Sequence, residues 1–291
     1  MLKRLGLAVI GFVLIVMFQN CSGRIDSSSI EGIKPKPTPE EDLKASNKPN
    51  VLFIIADDLG LGEVPGYDEG EAKPNMPHLE ELISTGVSFD NVWAYPACSP
   101  TRASILSGKS SFRTGVTDAT QNSTLDANQM TIFDYLKSIN SPYETAVFGK
   151  WHVSRNNANG PSELGVDEYR GLLTGGVDDY YSWDLTENGS TSVFNGYITK
   201  KITDMTTEWI STQSADTPWF AWVAYTSPHT PFHLPPEGTY SQVGLSGTAA
   251  DIAANPQSYF FAMIENLDYE MGRLLDSLTP GVSIKVEYMY H

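Results

Sequence analysis

Apolar residues run almost unbroken from Leu5 to Phe18, preceded by Lys3 and Arg4 and followed by Gln19 and Asn20. That order is the order of a secretory signal, and the run is short for a membrane span. From Ser22 to Asn50 the pattern turns polar, rich in Ser, Pro, Lys and Glu, with Pro35, Pro37 and Pro39 alternating. Such a stretch reads as an extended tether without a fold of its own. Order begins at Val51-Leu52-Phe53-Ile54-Ile55-Ala56. A continuous apolar run of this length suits a strand buried on both faces, as in a parallel sheet covered by helices. It stops at Asp57-Asp58, which places two carboxylates at the strand's carboxyl end, where sites in open α/β sheets lie.

Further along, Met76 to Thr85 has helical spacing of Leu79, Leu82 and Ile83, with Pro77 near its start and Gly86 at its end. Val87 to Ala94 is expected as a second strand. Pro100 to Leu106 opens a short helix closed by Gly108. Thr131 to Ser138 is read as a helix and Thr145 to Phe148 as a strand running into Gly149. Ser154 to Asn195 is rich in Gly, Asn and Asp without a sustained period, and is expected to be a substrate-side insertion rather than core. Ile198 to Gln213 is expected as a helix and Trp219 to Tyr225 as a strand. Ser258 to Leu278 is the longest helix, with Phe261, Ile264, Leu267, Met271 and Leu274 on one face. Strands alternating with helices predict an α/β fold with a mostly parallel sheet flanked by helices. The domains so drawn are a signal peptide over 1–20, a tether over 21–49, and a folded domain over 50–291.

The charge narrows the partners. With 19 Lys+Arg against 35 Asp+Glu, a net charge of −16, the surface repels phosphate backbones, so no nucleic acid partner is expected. A locally basic pocket remains compatible with binding an anion. Two cysteines cannot build a disulfide framework. One of them, in Phe18-Gln19-Asn20-Cys21, sits where the sequence resembles a bacterial lipoprotein processing site. That resemblance implies lipidation of Cys21, a membrane attachment through it, and a periplasmic or cell-surface location. Plain export and a retained anchor helix are the alternatives, and all three place the domain outside the cytoplasm.

The other cysteine stands in Cys98-Ser99-Pro100-Thr101-Arg102. If Pro100 opens a helix, Cys98 lies just before its N-terminus, where free N–H groups favour an anion, and Arg102 could return a guanidinium toward the same spot. An activated thiolate fits that setting, and so does a buried structural cysteine. A thiol phosphatase loop would want arginine six residues after the cysteine, where this chain has Ser104. Taken singly, Asp57 and Asp58 read equally as a turn or cap, Lys150 as a solvated charge, and His152 and His229 as structural histidines. His78 and His233 match no catalytic position. Trp151, Trp183, Trp219 and Trp222 read as core or cleft wall.

Together these segments resemble the type I sulfatases of the alkaline phosphatase superfamily. The likeness rests on Cys98-x-Pro100-x-Arg102 within Pro96 to Gly108, on Asn50 to Gly60 with Asp57 and Asp58, on Gly149-Lys150-Trp151-His152, and on Ser227-Pro228-His229-Thr230-Pro231, in the family's order. Asn266-Leu267-Asp268 and Gly272 to Asp276 add a further segment. The resemblance implies that a maturase converts Cys98 to formylglycine. It implies that Asp57, Asp58 and the modified Cys98 bind a divalent cation, calcium or else magnesium. It also implies that a hydroxyl of the hydrated aldehyde attacks the sulfur of a sulfate ester. Arg102 would hold the formylglycine, and Lys150 would neutralise sulfate oxygens. His229 would protonate the leaving alcohol or contact the sulfate, and His152 would deprotonate the second hydroxyl to expel sulfate.

The family's remaining metal ligands, an Asp followed by Asn, lie on a strand after the helix that here ends near Leu278. Thr279 to His291 holds neither residue type. Apolar residues alternate there with Ser283, Lys285 and Glu287, the pattern of a half-exposed strand. The expectation is an incomplete, C-terminally truncated domain, missing late strands and a C-terminal subdomain, with a cation shell short of ligands and an apolar sheet edge. Two alternatives to a sulfatase follow. One is a non-catalytic, truncated homologue that binds an anion or is a gene remnant. The other is a phosphoester or phosphonate hydrolase of the same superfamily.

Overall fold

The computed structural model describes residues 48–89, 91–139 and 142–278, and the backbone of 282–288. The leader, Cys21 and the tether up to residue 47 lie outside the described residues. In chain order the elements are β1 (Asn50–Asp57), a 3-10 turn (Leu61–Glu63), α1 (Pro77–Thr85), α2 (Cys98–Ser107), α3 (Ser111–Thr114), α4 (Ile132–Ser138), β2 (Glu144–Lys150), α5 (Gly160–Glu163), β3 (Glu168–Leu172), β4 (Ser182–Glu187), β5 (Ser190–Asn195), α6 (Ile198–Ser211), β6 (Trp219–Pro228), α7 (Ala249–Ala254), α8 (Pro256–Asp276) and β7 (Val282–Tyr288).

The strands form one sheet in the order β5-β4-β3-β2-β6-β1-β7. β3, β2, β6, β1 and β7 run parallel, and β4 and β5 are antiparallel. The near-continuous apolar runs of β1 and β6 are explained by this order, since each is interior to the sheet and covered on both faces. On one face Leu52, Ile54, Ala146, Phe148, Ala221, Val223 and Tyr225 pack against the apolar sides of α6 and α8. On the other, Phe53, Ile55, Val147, Phe220 and Trp222 pack against α2 and α4 through Ala103, Leu106 and Phe133. The four tryptophans expected in the core or cleft wall are all buried. Helix α4 starts at a capping box between Thr131 and Asp134. Helix α2 carries Pro100 in its first turn and stops where Gly108 adopts a φ of 65°, a left-handed conformation that glycine tolerates.

Two expectations are corrected. The described residues of 87–94 form turn and coil rather than a strand, with Val87 80% and Trp93 91% exposed. A strand pattern is realised only where a neighbour supplies ladder hydrogen bonds and a covering layer, and this segment has neither among the described residues. The region 154–195 is not an insertion outside the core: β3, β4 and β5 extend the sheet by three strands, and Trp183 and Leu185 enter its core. Its signal was the hairpin Asn188-Gly189, whose φ values of 44° and 90° suit a tight two-residue turn between Glu187 and Ser190. The strand expected around Ser283, Lys285 and Glu287 is present as β7, which pairs with β1 in parallel from Asn50↔Val282 to Ala56↔Tyr288 and forms an edge of the sheet.

Candidate active site

The site is assembled at the carboxyl ends of β1, β2 and β6 and at the start of α2, the location that an open parallel sheet favours. Asp57 ends β1, and the Asp57–Asp58 peptide bond is cis. Lys150 ends β2. It follows Gly149, whose φ is 97° and whose strand presses so close to β6 that a β-carbon there would lie 2.0 Å from the Ala224 carbonyl oxygen. His229 follows β6, and its backbone N–H donates to the Asp57 carbonyl at 2.7 Å and to that of Thr226 at 2.9 Å. Cys98 is the first residue of α2.

Asp57, Arg102 and Lys150 form the floor. Asp57 Oδ2 lies 2.7 Å from Lys150 Nζ and 2.7 Å from an Arg102 guanidinium nitrogen, and all three side chains are buried. Arg102 also donates to the Lys150 carbonyl oxygen, so one guanidinium ties the ends of β1 and β2 together. Burial alone would raise the Asp57 carboxyl, but the two cations overcome it and hold the group well below the usual carboxylate range. One carboxylate against two cations leaves an excess positive charge on the floor, a local reversal in a chain of net charge −16. Among the described residues, Arg102 Nε has no hydrogen-bond acceptor.

His152 stands over the cysteine. Its Nδ1 is 2.9 Å from Cys98 Sγ, and its Nε2 is 3.1 Å from the Ala119 carbonyl oxygen. A carbonyl only accepts, so Nε2 carries the proton and Nδ1 turns its lone pair to the Cys98 side chain. Burial first, then the neighbouring Lys150 and Arg102 charges, push His152 down to about 4. The ring is therefore neutral at pH 7. Its backbone, at a φ of 56°, is fixed by the Ser99 hydroxyl, which donates to the His152 carbonyl at 2.7 Å.

His229 sits at the other wall. Its Nδ1 donates to the Thr230 carbonyl at 2.7 Å, which leaves Nε2 facing Asp58 Oδ2 at 3.7 Å. Burial, a hydrogen bond with Asp57 and the Asp57 charge push Asp58 up to about 8. Two carboxylates that repel their second negative charge are a site a divalent cation would relieve, and their hard oxygens suit calcium or magnesium. They make only part of a shell: among the described residues no three His, Cys, Asp or Glu side chains converge on one point.

Asp57, Asp58, Cys98, Arg102, Lys150, His152 and His229 therefore meet at one end of the sheet, with Arg102 bonded to the strand ends rather than to Cys98. Sequence reasoning passed over Ser99 and Ala119, which orient His152, and Tyr180, whose hydroxyl donates to the His229 and Thr226 carbonyls. It also passed over Gly175 and Gly176, which pack on the two histidine rings. The adjacent glycines were the only visible signal of these.

Comparison with known proteins matches the Sulfatase family model to residues 49–285. Arylsulfatase J of Mus musculus is 31% identical over 217 residues, covering 68% of this chain and 35% of that protein. N-acetylglucosamine-6-O-sulfatase of Bacteroides thetaiotaomicron is 31% identical over 187 residues, covering 63% of this chain and 31% of that protein. The chain thus spans about a third of the length of these curated relatives. Among solved structures, Ps i-CgsB shares the fold with a TM-score of 0.66 at 24% identity, over 83% of this chain and 58% of that one.

Proposed function

Because the chain belongs to the sulfatase family, we propose that it hydrolyses a sulfate monoester, with Cys98 matured to formylglycine as the nucleophilic position. The observation that carries the reading is the pairing of Cys98 with a neutral base: His152 Nδ1 lies 2.9 Å from Sγ, with its lone pair directed there by the Ala119 carbonyl. A hydrated formylglycine supplies two hydroxyls on one carbon, one to take the sulfuryl group and one whose deprotonation releases sulfate. A divalent cation, calcium or magnesium, held in part by Asp57, Asp58 and the modified Cys98, would supply positive charge that acidifies the attacking hydroxyl.

The chain's own residues do the rest. The excess positive charge of Lys150 and Arg102 over Asp57 draws the sulfate oxygens down and compensates the charge that builds as sulfur is attacked. The S–O bond to the alcohol breaks, and His229, whose Nε2 faces Asp58 Oδ2 at 3.7 Å, would pass a proton to the departing oxygen. His152 Nδ1 takes the proton of the second hydroxyl. Neutrality of this ring at pH 7 is what makes it a base there. The names of the relatives point to an aryl or carbohydrate sulfate as substrate. Export, attachment through a lipid on Cys21 and recognition by a formylglycine-generating maturase complete the reading.

Co-expression with such a maturase should convert Cys98 to the aldehyde, read by peptide mass spectrometry. The purified chain should then release sulfate from an aryl sulfate and from a 6-sulfated N-acetylglucosamine in a calcium-dependent way, with the activity lost in Cys98→Ala. Unmodified Cys98 beside a competent maturase would falsify the nucleophile assignment. Faster turnover of the matched phosphate ester would replace the sulfatase reading with a phosphoester one.

A further inference from the structure

The segment between β3 and β4 touches both histidines, and its role is assigned by none of the family motifs in this chain. It leaves β3 alongside the residues after Lys150, where the Trp151 and His152 N–H groups donate to the Leu172 and Leu173 carbonyls at 2.8 and 3.1 Å. Two residues later Gly175 lies flat against the His152 ring. A β-carbon at Gly175 would stand 2.3 Å from Cε1, 2.7 Å from Nε2 and 2.9 Å from Nδ1, so no side chain fits. The next residue, Gly176, lies against the other ring, where a β-carbon would be 3.2 Å from His229 Cε1 and 3.4 Å from its Nδ1. Successive α-carbons are about 3.8 Å apart. One peptide unit therefore spaces two rings that arrive from different strands.

Tyr180 closes the same segment. Its buried hydroxyl donates to the Thr226 carbonyl at 3.0 Å and to the His229 carbonyl. Its ring stacks on His233 at a centroid distance of 3.9 Å. His233 is held in turn by the Tyr197 hydroxyl at 2.9 Å and by the Pro231 carbonyl at 3.0 Å. The loop that carries His229 is thus pinned on both sides of the histidine.

We propose that Thr174–Tyr181 is a positioning strap for the two histidines, with Gly175 backing the His152 ring, Gly176 backing the His229 ring, and the Tyr180 hydroxyl fixing the His229 backbone. The chemical consequence rests on the sulfatase reading; the mechanical one does not. Displacing a reacting group by about 1 Å costs about 100-fold in rate. Disturbing the strap at its two ends should therefore slow two different steps, which a loss of general stability would not do.

The test uses the full, matured chain and the variants Gly175→Ala, Gly176→Ala and Tyr180→Phe, with Val193→Thr on the exposed strand β5 as control. Histidine ring 1H–13C spectra are recorded at one pH, and aryl sulfate turnover is followed by rapid mixing. Gly175→Ala should shift the His152 signal, leave His78 in place, and slow sulfate release about 100-fold while the burst of alcohol survives. Tyr180→Phe keeps the stacked ring and removes only the hydroxyl. It should shift the His229 signal and slow the burst itself by about tenfold or more. Gly176→Ala, with a looser contact, should shift the His229 signal by less than Gly175→Ala shifts that of His152. Unmoved ring signals, or both phases slowed alike by all three variants, would overturn the strap. A wild type without turnover whose ring signals move as stated would support the strap and remove the sulfatase reading.

Discussion

Asp57→Asn isolates the electrostatic floor. In the wild type one carboxylate oxygen lies 2.7 Å from both Lys150 and Arg102, with side-chain exposures of 0–1%. The amide keeps the shape and an acceptor oxygen but removes the charge, so two buried cations face each other without an anion. Removing one partner of a buried pair costs about 3–5 kcal/mol, chiefly the penalty of the charge left behind. Each kcal/mol moves Tm by about 2–4 °C in a domain of this size, so the variant should melt roughly 10 °C below wild type. The assay is thermal unfolding by circular dichroism with a chelator present, which separates the ion pairs from any bound cation. Asp57 titrates below its unfolded value of about 3.9, so its contribution is present above that pH and is lost as pH falls through the folded value. The gap between wild type and variant should narrow toward pH 8, where Asp58 ionises against the Asp57 charge in the wild type only, and should close in acid. Adding Lys150→Met to the variant should recover part of the loss, because one unpaired cation is gone. A Tm within about 2 °C of wild type at pH 7, or a gap that widens in acid, would refute this account.

The neighbouring carboxyl responds with opposite sign. Burial and the Asp57 charge push Asp58 up to about 8, so its contribution is full below about pH 4 and fades as pH rises toward 8. Asp58→Asn should therefore stabilise the protein in chelator at pH 8, and should lower Tm relative to wild type when calcium is present, both read by differential scanning calorimetry. His152 behaves as a buried neutral base: with a folded value near 4 against about 6.5 unfolded, stability should rise with pH between those values, and that slope should be absent in His152→Gln urea titrations. Gly149→Ala drives a β-carbon to 2.0 Å from the Ala224 carbonyl and strains a φ of 97°. A loss of about 3 kcal/mol or more in denaturant midpoints is expected, and a loss below about 1 kcal/mol would show that β2 and β6 separate easily.

What was legible beforehand divides along physical lines. The interior strands were readable because burial on both faces demands a continuous apolar run, as in Val51 to Ala56 and Trp219 to Tyr225. Helices α1, α4, α6 and α8 were readable from apolar spacing or capping chemistry. The strands beyond β2 were not, because β3 and β4 are short and only partly buried, and β5 is almost wholly exposed, so tertiary pairing rather than periodicity creates them. Val87 to Ala94 failed in the opposite direction. Its composition suits a strand, but strands are made by partners, and the described residues offer none.

The site shows the same division at higher resolution. Charged side chains announce themselves, and the seven motif residues of the domain touch one another or the end of β1. What orients them is backbone: the Ala119 carbonyl that sets the His152 tautomer, the Asp57 carbonyl that receives the His229 N–H, and two glycines pressed against rings. Carbonyls carry no sequence identity, and glycine is informative only once the approach it permits is known. This asymmetry fixes where variants should act. On the proposed reading, substitutions at the charged residues would change the energy of a bound anion, whereas those at Gly175, Gly176 and Tyr180 would change the geometry of His152 and His229 while leaving the floor's charge intact. Sulfate itself should therefore bind Gly175→Ala about as well as wild type and bind Lys150→Met more weakly, as measured by calorimetry. Equal weakening in both would mean that the histidines, rather than the Lys150 and Arg102 floor, hold the anion.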